Sequence, residues 1–286
     1  MSTPEAGTTK KRLLSRNDYL APLPIPTGEK PCDVLNIIWR KNEVFLDVGN
    51  YSIGSAVMTI WPGVMLFLAM SFFTRNLDIE FSQEILILGA VIMAIPICLV
   101  IQGLFREVPL PIRFNRQRRE VCVPRDNGEY WLVPWESVTA AATQHSSVSQ
   151  AGRNTMGLLV IGFENPDPHA EEDNKHFSLG FHCGGGTTAM ALWECMRSYM
   201  EIGPAAAPEA AALNSGANLR YYIDYMSDKA KERGWILTLL WEGVFGVFIF
   251  NAPLATYLQR KKLYAPPDLT HPDINESSHT LPPNHR

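Results

Sequence analysis

Cysteine is scarce and scattered. The 286 residues hold five, with no CxxC pair and no metal-ligand spacing among them, so the sequence writes neither a zinc site nor a disulfide framework. A basic surplus is also missing. The formal charge of −4 argues against a chain built to coat nucleic acid. The glycine run Gly184-Gly185-Gly186 is not followed by Gly-Lys-Ser/Thr and lacks the GxGxxG spacing, which excludes the usual phosphate loops. The most informative absence is of charge itself: no Asp, Glu, Lys or Arg occurs between Asp47 and Arg75, nor between Glu84 and Arg106.

The core of the first uncharged run, Gly54 to Phe73, and the second, Ile85 to Phe105, are each long enough as helices to cross about 30 Å of hydrocarbon. Pro62 and Pro96 lie inside them, where a membrane helix tolerates proline. The short connection Thr74 to Glu84 leaves room for a turn, which predicts a two-helix transmembrane hairpin over residues 48–106. The first run starts too far along the chain, behind Lys10, Lys11, Arg12, Arg16 and others, to be a cleaved signal peptide.

Arg40 and Lys41 precede the hairpin, and Arg106, Arg113, Arg116, Arg118 and Arg119 follow it. The connecting loop holds Arg75 beside Asp78, Glu80 and Glu84. The positive-inside rule then predicts a multi-pass protein with the N-terminal segment and the main soluble module in the cytoplasm. Those five arginines are expected to form a basic cluster at the membrane interface, where each contributes up to about 1 kcal/mol with anionic lipid.

Residues 1–47, rich in proline and small polar residues, read as a flexible leader, in which Asp33–Arg40 reads as a short strand or an interfacial helix before the first span. From Ile112 the pattern alternates. Ile112–Asn115, Glu120–Val123 and Tyr130–Pro134, with Asn127-Gly128 as a turn, read as a β-meander, followed by a polar loop around Gln144 to Asn154. Met156–Phe163 and His176–His182 read as further strands. Ala189–Met200 has helical apolar spacing, with Thr187 or Thr188 as its N-cap. Strands followed by one amphipathic helix predict a small α+β module over residues 107–202, of pleckstrin-homology-like type. The fold class expected is thus membrane α+β.

An Ala/Pro linker over residues 203–217 leads to a helical segment at 218–262. Its apolar part, Trp235 to Phe250, contains Glu242 and is broken by Asn251-Ala252-Pro253. Basic groups flank it on both sides. A re-entrant or interfacial element, a third span and a buried soluble helix all fit residues 235–257, and the first keeps both flanks in the cytoplasm. Residues 263–286, with His271, His279 and His285, read as a disordered tail.

Candidate chemistry is sparse. His182 and Cys183 precede the glycine run at a helix start, where free N–H groups lower a thiol's pKa, yet no third orienting group is evident and a turn with a threonine cap explains the same residues. His176 and His182 share a strand face without further ligands, and the acidic loop at Asp167, Glu171, Glu172 and Asp173 lacks the oxygen spacing of a calcium loop. Glu242 is the one candidate for a functional intramembrane acid, against a water-facing position. No catalytic residue, metal or cofactor is assigned, and nucleic acid is not expected as a partner.

The hairpin followed by Pro111-Ile-Arg-Phe-Asn-Arg-Gln-Arg-Arg-Glu-Val121 and Val133-Pro-Trp-Glu-Ser-Val138 resembles, over roughly residues 30–260, a family of uncharacterised bacterial inner-membrane proteins encoded near type VI secretion effectors. The resemblance implies residence in the bacterial inner membrane and a non-enzymatic role as an immunity or accessory protein, with the lipid bilayer and a secreted effector or secretion component as partners. The alternative expectation is a membrane-anchored sensor or scaffold whose module binds lipid headgroups or a partner protein.

Overall fold

The computed structural model describes residues 4–13, 15–126, 128–149, 152–210, 219–263 and 267–269. The chain divides into two units, one made of Met1–Asn50, Pro109–Ala211 and Pro267–Arg286, the other of Tyr51–Val108 and Ala212–Pro266.

Four strands come first: β1 (Thr9–Lys11), β2 (Ser15–Ala21), β3 (Ile38–Lys41) and β4 (Phe45–Val48). The helices α1 (Ile53–Thr74) and α2 (Ile79–Phe105) follow, then β5 (Ile112–Asn115), β6 (Glu120–Pro124), β7 (Tyr130–Pro134), β8 (Thr139–Ser149), β9 (Gly152–Glu164), β10 (His176–His182) and α3 (Gly186–Glu201). The strands form two antiparallel five-stranded sheets, one in the order β1-β2-β8-β9-β10 and the other β3-β4-β5-β6-β7.

The expectation of a flexible leader over residues 1–47 is overturned. Leu20, Ala21, Ile37, Ile38, Trp39, Leu46 and Val48 are buried, and β1 to β4 supply strands to both sheets. The prolines that suggested mobility, Pro22, Pro24, Pro26 and Pro31, lie in the connection from β2 to β3, where the chain passes from one sheet to the other. A module of residues 107–202 is therefore incomplete: β5 lacks its partner β4, and β8 lacks β2. The polar loop expected around Gln144–Asn154 is instead the tip of a long hairpin, paired in register from Thr139↔Gly162 to Ser149↔Gly152. The single meander resolves into two sheets.

Alternation along the strands builds the core. On β6, Val121 and Val123 join the main apolar cluster while Cys122 joins a smaller one on the other face. Both sheets contribute to the main cluster, as does α3 through Ala189, Leu192, Trp193, Met196 and Tyr199. Trp135 stacks on Trp193 with ring centroids 5.5 Å apart, and Phe114 meets Trp135 edge-on at 6.0 Å. After α3, a short turn at Pro204–Ala206 and the buried Ala207 continue the packed chain into the expected linker, whose residues 211–217 lie outside the described set.

The second unit is helical. At 22 and 27 residues, α1 and α2 are long and apolar enough to cross a membrane. Their sides carry large exposed apolar residues, including Leu66, Phe72, Ile87, Val91, Ile95 and Leu99. Asp78 caps α2, accepting from the amides of Glu80 and Phe81. Near the turn Ser71 and Ser82 satisfy each other, with their hydroxyl oxygens 2.8 Å apart.

Beyond them come α4 (Leu219–Arg233), α5 (Trp235–Ile249) and α6 (Ala252–Lys262). Winding in α5 is α-helical over Trp235–Thr238 and π-helical over Leu239–Ile249. Asn251, in the left-handed region with φ 48°, caps α6 through its side chain, and α5 and α6 bend by 64° at this break. The expected interruption at Asn251-Ala252-Pro253 is where the helix turns. Gly54 N–H donates to Gln259 Oε1 at 3.1 Å and Trp61 Nε1 donates to Phe248 O at 3.1 Å, so α6 and the last residues of α5 run antiparallel to the start of α1. Lys262 donates to Arg106 O at 3.0 Å, and α4 packs beside both α5 and α6.

Candidate functional site

The most heavily built polar constellation lies on the outward face of the second sheet. Asp47 on β4 and Arg113 on β5 are register partners, and both are wholly buried. Arg113 Nε donates to Asp47 Oδ1 at 2.7 Å and its Nη2 donates to Oδ2 at 2.9 Å, a two-pronged pair. Nη2 also donates to Asp268 Oδ1 at 2.7 Å, and Arg40 Nη1 approaches Asp268 at 2.8 Å and Asp47 at 3.6 Å. The Arg113 guanidinium lies over the Phe45 ring, 3.7 Å from its centroid.

Burial pushes the Asp47 carboxyl up, and the hydrogen bonds from Arg113 oppose it. Burial alone would lower the Arg113 guanidinium, but the bonds and charges of Asp47 and Asp268 outweigh it and raise its value. Partial burial also acts upward on Asp268, yet the hydrogen bond and charge of Arg113, with the charge of Arg40, hold it below the ordinary value. Beside this network Leu269 is buried against Cys122, with Tyr130 and Leu132 packed around them. Cys122 has its thiol pushed up to about 12, chiefly by burial.

These positions correct the expected basic interface. Arg113 cannot meet headgroups, because it is sealed inside the strand unit and committed to Asp47. Arg118 pairs with Glu120 at 3.0 Å, and Arg119 pairs with both Glu136 and Glu201. Arg116 reaches towards Ile202 O at 3.4 Å. Of the five, Arg106 alone belongs to the helical unit, as the C-cap of α2. The sequence shows the arginines clustered, but their acidic partners come from as far away as Glu201, so local reading mistakes internal ion pairs for a free basic stripe.

The site suggested by His182 and Cys183 also changes character. Cys183 is buried, its Sγ donating to Phe181 O at 3.2 Å, and burial raises its thiol pKa. A raised value removes the thiolate that a nucleophile needs. His182 stands exposed at the end of β10. The N-cap of α3 is Gly185 rather than Thr187 or Thr188, and the glycine run is tightly packed: a Cβ on Gly157 would lie 2.1 Å from Gly185 O. Close backbone approach, together with φ 69° at Gly184, explains the glycines without a phosphate.

Glu242 is part-exposed on α5, where the Tyr225 hydroxyl donates to its Oε1 at 3.2 Å. His271, His279 and His285 lie outside the described residues, within which no His, Cys, Asp and Glu group is arranged to hold a metal. A cleft of about 570 Å³ opens between the turn preceding β7 and the loop preceding β10, lined by Trp131, Asn165 and Asn174 among others. Close by, Arg125 lies against the rings of Trp131 and Phe177.

Asp47, Arg40, Asp268 and Leu269 were not marked by motif or spacing. One signal was available for Asp47: it is a lone acid in the strand pattern Phe45-Leu46-Asp47-Val48, where a buried charge demands a partner. Comparison of the chain with family models, curated proteins and solved structures finds no match.

Proposed function

We propose that the chain is a non-enzymatic, membrane-anchored binding protein of the bacterial inner membrane, acting as an immunity or accessory protein for a type VI secretion effector. The observation that carries the binding role is the insertion of a hairpin of membrane-spanning length between β4 and β5, two strands that pair directly with each other. The chain thus leaves and re-enters the strand unit through paired neighbours, so the anchor is attached without interrupting the sheet. In this reading the strand unit is a cytoplasmic, pleckstrin-homology-like module, two sheets packed with one long helix. Expression beside the neighbouring effector gene is expected to protect cells and to let the two proteins co-purify. Undiminished killing of cells that make the folded protein at normal levels sinks the immunity reading.

The lipid-sensor alternative loses support, because Arg113, Arg118 and Arg119 are engaged with acids of the same unit. A re-entrant α5–α6 is favoured by the packing of α4 along α6. With Asp224, Asp228, Lys229, Lys231, Glu232 and Arg233, α4 belongs in water. The basic end of α6 meets Arg106 at the root of the hairpin. Both flanks of α5 then lie on one side of the bilayer. Reagent labelling of single cysteines at Ser227 and Gln259 tests this: labelling from opposite sides of the membrane overturns it.

A further inference from the structure

Of the arginines expected at the membrane interface the helical unit keeps Arg106, and the fold brings new cations to it from α6, which ends on Arg260-Lys261-Lys262 and holds no acid. The last turn of α6 is fixed to both roots of the hairpin. Gln259 Nε2 donates to Tyr51 O while its Oε1 accepts from Gly54 N–H, so one side-chain amide grips the start of α1. Tyr51 Oη in turn donates to Gly103 O at 3.5 Å, and Lys262 Nζ donates to Arg106 O at 3.0 Å at the end of α2. The backbones are close as well: a Cβ on Gly54 would lie 3.0 Å from Ala255 O.

These hydrogen bonds place the cations without neutralising them. Among the described residues no acid pairs with Arg106, Lys261 or Lys262, and both Arg106 and Lys261 are exposed. Lys262 carries three N–H donors and directs one of them at Arg106 O. The one acid beside them in the chain, Glu107, leaves an excess of positive charge. Just before Arg106 on α2, Ile101 and Phe105 are exposed and, four residues apart, share a helix face. Cations at the end of an exposed apolar face match a molecule that carries a phosphate at the end of acyl chains, and a free phosphate makes no use of the apolar part. We infer that the junction of α2 and α6 is a binding site for the phosphate headgroup of an anionic lipid, held by Arg106, Lys261 and Lys262 with its chains along Ile101 and Phe105. The inference goes beyond the binding role of the strand unit and rests only on α1 and α2 lying in a bilayer. The lipid belongs to the anchor, where it bridges α6 and the hairpin.

Cations at a helix C-terminus also complement the helix dipole, but that role alone gives no preference among lipid headgroups. The full chain in detergent is titrated with phosphatidylglycerol or with phosphatidylcholine of the same chain length, and bound lipid is counted by native mass spectrometry. Phosphatidylglycerol is expected to bind the parent about tenfold or more tighter. Arg106→Gln with Lys261→Gln and Lys262→Gln is expected to abolish that preference, while Lys10→Gln with Lys11→Gln, in the strand unit, keeps it. Lys261→Gln alone changes one exposed side chain, and is expected to lower the preference about threefold even where the triple variant fails to fold. Excess inorganic phosphate is expected to leave phosphatidylglycerol bound. Equal binding of the two lipids by the parent, an undiminished preference in the Lys261→Gln variant or the folded triple variant, loss of the preference in the Lys10 and Lys11 variant, or displacement by inorganic phosphate overturns the proposal. None of these readouts involves protection against an effector, so the lipid site and the immunity role fail separately.

Discussion

The two units handle polarity in opposite ways. In the strand unit a full ion pair, Asp47–Arg113, is buried without solvent contact, while in the helical unit Val91 and Ile95 stand with 66% and 72% of their surface uncovered. In water both arrangements are unfavourable unless compensated. The first is compensated by geometry, two hydrogen bonds and a second carboxylate. The second is compensated by a change of solvent, since lipid tails are as apolar as the side chains that meet them. Exposure therefore has no fixed meaning along this chain.

The comparison breaks most sharply at the buried pair. Asp47→Asn removes the charge facing the buried Arg113 guanidinium and one of the two oxygens that accept from it, and a loss of about 3–5 kcal/mol is expected by chemical denaturation of the strand unit in detergent. Replacing both partners, as in Asp47→Val with Arg113→Leu, is expected to recover much of that loss. A single variant as stable as the parent means the pair is not closed off from water.

Next in size is a matched pair of charge insertions. Val91 and Met156 are similarly exposed, at 66% and 56%, yet only Val91 lies in an expected span. Val91→Arg is expected to cost about 2.5–3.5 kcal/mol of insertion, seen as loss from the membrane fraction. Met156→Arg should fall within about 0.5 kcal/mol, as surface substitutions do. Equal tolerance at the two positions removes the membrane reading of α2.

Acidification separates the units as well. Burial raises the carboxyls of Glu194, Glu201 and Asp268, but bonds from Arg197, Arg119 and Arg113 respectively outweigh it and hold all three below their ordinary values. A depressed carboxyl stabilises the fold above its unfolded pKa and ceases to do so as pH falls through its folded value. The strand unit should hold its stability down to about pH 4.5 and lose it progressively below, whereas helicity of α1 and α2 should persist. Tryptophan fluorescence of the stacked Trp135 and Trp193 against far-ultraviolet circular dichroism separates the two responses.

How much was legible in the sequence follows the range of the causes. The hairpin was legible because its signal is local and uniform: lipid requires an unbroken apolar run, and nothing distant can supply it. So were the turn at Gly128 and the break at Asn251. The expected leader was misread over β2 to β4, because these strands are short and gain their burial from partners far along the chain, as Tyr19↔Ala141 and Leu46↔Phe114 illustrate. The arginine cluster failed for the same reason: its charges were visible, but Asp47, Glu201 and Asp268 are partners that only the fold brings near. Cys183 looked reactive at a helix start, and the core around it makes it inert.

The smallest effect tests the region where sequence and fold leave most to the solvent. Glu242→Gln keeps an oxygen acceptor for the Tyr225 hydroxyl and removes a charge. If α5 enters and leaves on one side, Glu242 stays near water, and the change should shift stability by less than about 0.5 kcal/mol and leave protection intact. If α5 instead carries Glu242 into hydrocarbon, neutralising it should stabilise the protein by about 1 kcal/mol or more, because the cost of a charge there disappears. A measured gain of that size, in bilayer nanodiscs rather than detergent, would turn the re-entrant element into a third span and move its basic flank across the membrane.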